Sequence, residues 1–190
     1  MIAKRYHLNK FQIISHAENT LEDILKQCRS MDDHLFFYKS EQWSVAENLE
    51  HLSLTMNKGW LNLFTPKIIL KWKFGKPNRP SYSYEELVQL YYQKLDAGYE
   101  TEKRFIPTVV EDKDAKQRLI ARFEQIANKY LDQVRYYWED DTMDQYQVPN
   151  SLFGFITIRE LLYFNLFHNT HHYKTIRNRK NEAIEFSTVD

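Results

Sequence analysis

Trp43-Ser44-Val45-Ala46-Glu47-Asn48-Leu49-Glu50-His51-Leu52 is the stretch on which the fold class turns. Ser44 and Glu47 have the spacing of a capping box, in which a hydroxyl and a carboxylate each take an orphan N–H at a helix start. Val45, Leu49, Leu52, Met56, Trp60 and Leu63 then recur at helical spacing and form one apolar stripe. Pro66 stops this helix or lies just past its end.

The same period extends in both directions. Before it, Leu21, Ile24, Leu25, Cys28 and Met31 make a stripe, with Asn19 and Glu22 placed as a cap pair, followed by a polar connector from Asp32 to Gln42. After it, residues 66–111 form a long connection that holds Pro66, Pro77 and Pro80. Within that connection Ser83 to about Glu102 reads as an accessory amphipathic helix. A further helix is expected from Asp114 to Trp138, with Leu119, Phe123, Ile126, Tyr130, Val134 and Tyr137 facing inward. Glu139, Asp140, Asp141 and Asp144 then mark a solvated turn. The last helix opens at Thr157-Ile158-Arg159-Glu160, a second capping box, and runs to about Lys180. Four main helices and an accessory one predict an all-α bundle in which the long connection lets the chain cross from end to end. The expected organisation is a single domain over 1–190.

Composition narrows the function. With 26 basic and 26 acidic side chains among 190 residues, no global field draws nucleic acid or an anionic membrane. One cysteine rules out a disulfide framework and Cys-rich zinc modules. The phosphate-loop patterns GxGxxG and GxxxxGK[ST] are missing, as are GxSxG and HExxH. Apolar runs fall far short of a membrane span, and Met1-Ile2-Ala3-Lys4-Arg5 does not lead into a signal-peptide core, so a cytoplasmic protein is expected. Two local basic clusters stand out, Lys67/Lys71/Lys73/Lys76 and Arg177/Arg179/Lys180. They read as solvated charge and helix termination or, alternatively, as a phosphate-binding patch.

The candidate chemistry lies in histidines. His168 and His172 are four apart on the last helix and share a broad face with Leu161, Phe164 and Asn165. Two desolvated imidazoles side by side need partners. A shared metal serves both, and so do separate bonds to a carbonyl or a tyrosine; spacing alone leaves both open. Asn165 is near enough to steady a ligand imidazole or a bound water. His51 lies beside the apolar stripe, in a polar line with Asn48 and Thr55. Glu47 reads as the capping residue or, more weakly, as a base or a ligand; Asp32 is a further candidate base. His171 lies near the edge of the face that carries His168 and His172 and reads as a dimer, surface or outer supporting residue, and Cys28 is a packing thiol.

The Trp43–Leu52 segment resembles the first signature of the DinB-like superfamily, a tryptophan at a helix start with a histidine two turns on. Phe153-Gly154-Phe155-Ile156-Thr157-Ile158-Arg159-Glu160-Leu161-Leu162, followed by His168-Asn169-Thr170-His171-His172, is similar to its second. The resemblance is to the small DinB/YfiT-type bundle and covers nearly the whole chain. It implies a four-helix bundle of up-down-down-up topology and a divalent metal, nickel or zinc, held by His51, His168 and His172. It also implies a homodimer, with Tyr163, Leu166, Phe167 and Tyr173 offering a second packing surface. The activity implied is that of a metal-dependent hydrolase or a low-molecular-weight-thiol transferase acting on a small molecule. The alternatives are a non-catalytic, stress-associated metal-binding bundle, or structural histidines without metal. No nucleic acid or membrane partner is expected.

Overall fold

The computed structural model describes residues 7–187, with side chains through Glu185. Met1–Arg5, read above for the lack of a leader, lies outside the described residues. The described residues form seven helices: α1 (Lys10–Ser30), α2 (Asp33–Phe37), α3 (Val45–Phe64), α4 (Lys67–Phe74), α5 (Tyr84–Asp96), α6 (Ala115–Tyr137) and α7 (Ile158–Ser187). One hairpin, β1 (Gln147–Asn150) and β2 (Gly154–Thr157), precedes α7 in antiparallel register, Val148 opposite Ile156. None of these helices is long and apolar enough to cross a membrane.

Caps set most helix boundaries. Ser44 and Glu47 make both halves of the expected box on α3, at 3.1 and 2.8 Å. Thr157 and Glu160 do the same on α7, at 3.2 and 2.8 Å. Ser83 and Glu86 cap α5, which ends earlier than its period suggested. Gly98 adopts φ +84°, and the N–H groups of Gly98 and Tyr99 return to the carbonyls of Leu95 and Lys94, a Schellman closure that a non-glycine residue disfavours.

Four local expectations need correction. α1 starts at Lys10, where Asn9 and Gln12 form the capping box, so Asn19 and Glu22 lie inside the helix; Ile13 and Ala17 extend the buried stripe backward. The polar connector contains α2, because Asp32 caps a turn that buries Phe36. The connection 66–111 begins with a second short helix, α4. Finally, Arg177, Arg179 and Lys180 do not terminate α7, which continues to Ser187; Arg179 pairs with Glu182.

One contiguous apolar core runs through the long helices. α3 packs on α6 and α7, α1 packs on the same two, and α5 lies on α7. Arg122 reaches Glu50 at 2.7 Å between α6 and α3, and Arg29 reaches Glu124 at 2.6 Å between α1 and α6. Tyr137 is turned to solvent; its neighbour Trp138 takes the core place and donates its indole N–H to the Leu63 carbonyl at 3.1 Å. Tyr163, Leu166 and Phe167, expected to form a second packing surface, are buried within this chain. α5 covers them, with Tyr84 edge-on to Tyr163 and Tyr91 edge-on to Phe167.

The long connection is tied down at one charged point. Glu160, fully buried, accepts both guanidinium nitrogens of Arg79 at 2.5 and 3.2 Å and the Tyr82 N–H at 2.7 Å, besides its capping bond. A carboxylate placed by helix capping thus holds the chain segment that leads into α5.

Candidate metal centre

The three histidines meet. His51 comes from the middle of α3, and His168 and His172 from one face of α7; all three are buried. Each offers one ring nitrogen, and these nitrogens lie within 4.8 Å of one another. The Nε2 atoms of His51 and His168 are 3.3 Å apart. An ion bound tetrahedrally at about 2.0–2.1 Å needs nitrogens about 3.3–3.4 Å apart, so that pair already has the required spacing and the third ring is close to it.

Neighbouring groups fix two of the rings. Asn48 Nδ2 donates to the carbonyls of Ser44 (2.8 Å) and Trp43 (3.2 Å), which turns its Oδ1 toward His172 Nδ1 at 2.8 Å. His172 therefore carries its proton on Nδ1 and presents the Nε2 lone pair. His51 Nδ1 stands 2.7 Å from the Phe105 carbonyl and can only donate to it, which frees Nε2 in the same way. Such outer bonds set the tautomer of a metal-ligating histidine. His168 is packed against the Phe164 ring, and its Nδ1 is buried without a hydrogen-bond partner. Trp43 lies against His51 and is stacked near His172, with ring centroids 4.9 and 6.5 Å away.

Electrostatics favours neutral rings. Burial pushes His51 below its usual value, against the raising effect of the Phe105 carbonyl. His168 and His172 fall further, first through burial and then through the other imidazoles. Three neutral imidazoles, two of them with the Nε2 lone pair freed by an outer hydrogen bond, are the donor set a divalent ion takes. The observed residues fit a metal.

All three rings border a cavity of about 250 Å³. α3 supplies Thr55 and Lys58, α5 supplies Tyr91 and Leu95, the segment after α5 supplies Glu102 and Arg104, and the hairpin turn supplies Leu152. Glu102 and Arg104 pair at 2.8 Å. His171, half-buried, also borders the cavity, with its ring held below its usual pKa by burial.

Other expected site residues lie elsewhere or do something else. Glu47 spends one carboxylate oxygen on its capping bond and the other on Lys39, and it does not line the cavity. Asp32 caps α2. Asn165 borders the cavity, but its amide nitrogen donates to Tyr130 and to the Leu161 carbonyl, not to an imidazole; the groups that hold ligand imidazoles are Asn48 and the Phe105 carbonyl. Asn48 was visible in the sequence as part of the polar line with His51. The Phe105 contact had no signal, because a backbone carbonyl carries no residue identity.

Fold and triad together define a helical protein with a three-histidine candidate metal centre at the floor of a cavity. A family model described as the DinB superfamily matches residues 14–176, and the chain belongs to that superfamily. No curated protein and no solved structure matches the chain.

Proposed function

We propose that this protein binds a divalent metal, nickel or zinc, through His51, His168 and His172 and acts on a small molecule in the adjoining cavity. The reaction class is that of a metal-dependent hydrolase or a low-molecular-weight-thiol transferase. One observation carries the reading. Three neutral, buried ring nitrogens converge, two of them with the tautomer fixed, and all three rings border a cavity of about 250 Å³. A site filled on every side by protein would favour the non-catalytic alternative; these rings border a cavity.

A bound divalent ion supplies Lewis acidity, which polarises a carbonyl or favours a thiolate. The chain's own residues do the rest. Tyr91, Leu95, Leu152 and Phe164 give the cavity apolar walls that exclude water from a bound molecule. Lys58 lies on α3 two turns beyond His51, about 10 Å along the helix, and offers a cation to an acidic group of that molecule. Asn48 and Phe105 hold the His172 and His51 rings in place.

In this reading α1, α3, α6 and α7 make the up-down-down-up four-helix bundle of one domain spanning 1–190. The pairs Glu18–Arg135 and Arg29–Glu124 support antiparallel α1 and α6. Those of Glu50 with Arg122 and Leu63 with Gln133 support parallel α3 and α6. The reading includes a homodimer, a cytoplasmic setting and no nucleic-acid partner.

Elemental analysis of the native protein tests the centre. About one divalent ion per chain is expected, and His51→Ala and His168→Ala each lose most of it while helix content by circular dichroism is kept. Unchanged metal in the folded variants overturns the assignment. A panel of hydrolase and thiol-transfer substrates, run with and without chelator, then separates turnover from binding alone.

A further inference from the structure

The basic cluster Lys67/Lys71/Lys73/Lys76 has no part in the proposed site. Three of its members fall on α4, whose sequence is Lys-Ile-Ile-Leu-Lys-Trp-Lys-Phe. α4 is anchored to the body by Leu70, which is 1% exposed. At about 100° per residue, Ile68 and Trp72 point away from Leu70, with Ile69 and Lys71 about a quarter turn to either side. Trp72 is 86% exposed and Ile68 78%. Phe64, at the end of α3 and four residues before Ile68 in sequence, is 61% exposed.

We infer that this corner, the end of α3 and the outer face of α4, docks on an anionic lipid bilayer surface. The ridge of Ile68 and Trp72 would enter the headgroup boundary while exposed Lys71, Lys73 and Lys76 meet lipid charge; Lys67, half-buried, instead holds its ammonium over the Trp138 ring, 4.9 Å from the centroid. An apolar apex with long cations on its flanks is the arrangement of interfacial helices, and tryptophan favours that depth. Charge argues against a second copy of the chain as the occupant. Self-contact about a two-fold axis brings these lysines against one another, and among the described residues no ion pair joins any of the four to a carboxylate. Asp144 shares a shallow depression with Lys71 and Lys76, but Arg159 and Ser81 take up its oxygens. A nucleic acid would match the lysines and leave the protruding Ile68 and Trp72 exposed. Zero net charge conceals this local segregation, which is why composition alone pointed away from membranes. The contact is peripheral, since no helix among the described residues can span.

The test is cosedimentation of the purified full chain with vesicles, one set of phosphatidylcholine alone and one with about a quarter phosphatidylserine. The expected result is binding to the mixed vesicles, weakened by salt, with little binding to the neutral ones. Trp72→Ala should lower the bound fraction about tenfold. The pair Lys71→Glu and Lys76→Glu should remove the preference for anionic lipid. Circular dichroism checks the fold of each, and the lysine pair keeps the test open if the tryptophan variant fails to fold. Absent binding, or equal binding to both vesicle types, overturns the proposal. So does sedimentation velocity that shows a dimer dissociated by Trp72→Ala, which would assign the ridge to a second copy.

Discussion

Replacing Asn48 with alanine isolates the outer support of the candidate metal centre. The residue is 1% exposed, and its amide is locked by two carbonyls, so Oδ1 has one role, accepting the His172 Nδ1 proton at 2.8 Å. In Asn48→Ala that buried N–H has no acceptor, and the tautomer that presents Nε2 loses its support. Removing such a partner weakens metal affinity about 10–100-fold, or about 1.4–2.8 kcal/mol. The His172 ring still packs against His51 and His168, with centroids 4.7 and 4.6 Å away, so the ring stays near its position and the loss should fall within that range without abolishing binding. Competition with a chromophoric chelator for zinc or nickel reads the change, and circular dichroism verifies the fold. Thr55→Val is the control: Thr55 also borders the cavity, but its hydroxyl bonds only to carbonyls of its own helix, so metal affinity should hold. An Asn48→Ala protein that is folded and binds metal within about twofold of the parent would refute the account of the site.

Three further outcomes are expected. Burial lowers the His51, His168 and His172 pKa values below the usual 6.5 in the folded chain, so the unfolded chain takes up protons first as pH falls. Stability of the chelated protein is therefore present above 6.5 and lost below it, and the urea midpoint should be lower at about pH 5.5 than at about pH 7.5; a higher midpoint in acid contradicts this. Arg79→Ala deprives the buried Glu160 of its cation but leaves two backbone N–H bonds, and Arg79 itself is 31% exposed. The loss should be about 1–3 kcal/mol in denaturant unfolding, below the figure for a fully buried pair; no loss would mean the tether is idle. Cys28 is fully buried and its thiol is pushed up to about 12 by burial, so a thiol reagent should label it only as fast as the native state opens. Rapid labelling of the native protein would contradict this.

The long helices were legible because their signals are local. Ser44 with Glu47 and Thr157 with Glu160 announce helix starts, and the stripe from Val45 to Leu63 gives a direction to bury. Where the sequence misled, a stronger local pattern hid a weaker one. Asn9 with Gln12 is a less familiar pair than Asn19 with Glu22, although it is the one that caps α1. The hairpin escaped notice because its strands are four residues each and one carries Pro149. Of the candidate centre, His168 and His172 were legible as a pair, since one helix sets their spacing. Their meeting with His51 is long-range and came from family resemblance, not from period. The roof of the cavity was out of reach of pattern reading. Glu102 and Arg104 sit beyond a glycine turn, and Glu160 reaches Arg79 across 81 residues.

The bond from His51 to the Phe105 carbonyl makes the roof and the floor of the cavity one system. Phe105 belongs to the segment that carries Glu102 and Arg104, so a guest that draws this segment closer also steadies an imidazole below it. Reciprocity is then thermodynamically required: whatever free energy a guest lends to the hold on an ion, the ion lends back to the hold on the guest. A pocket built this way would recognise its occupant and its metal jointly, through a main-chain oxygen that no side-chain substitution at position 105 can delete.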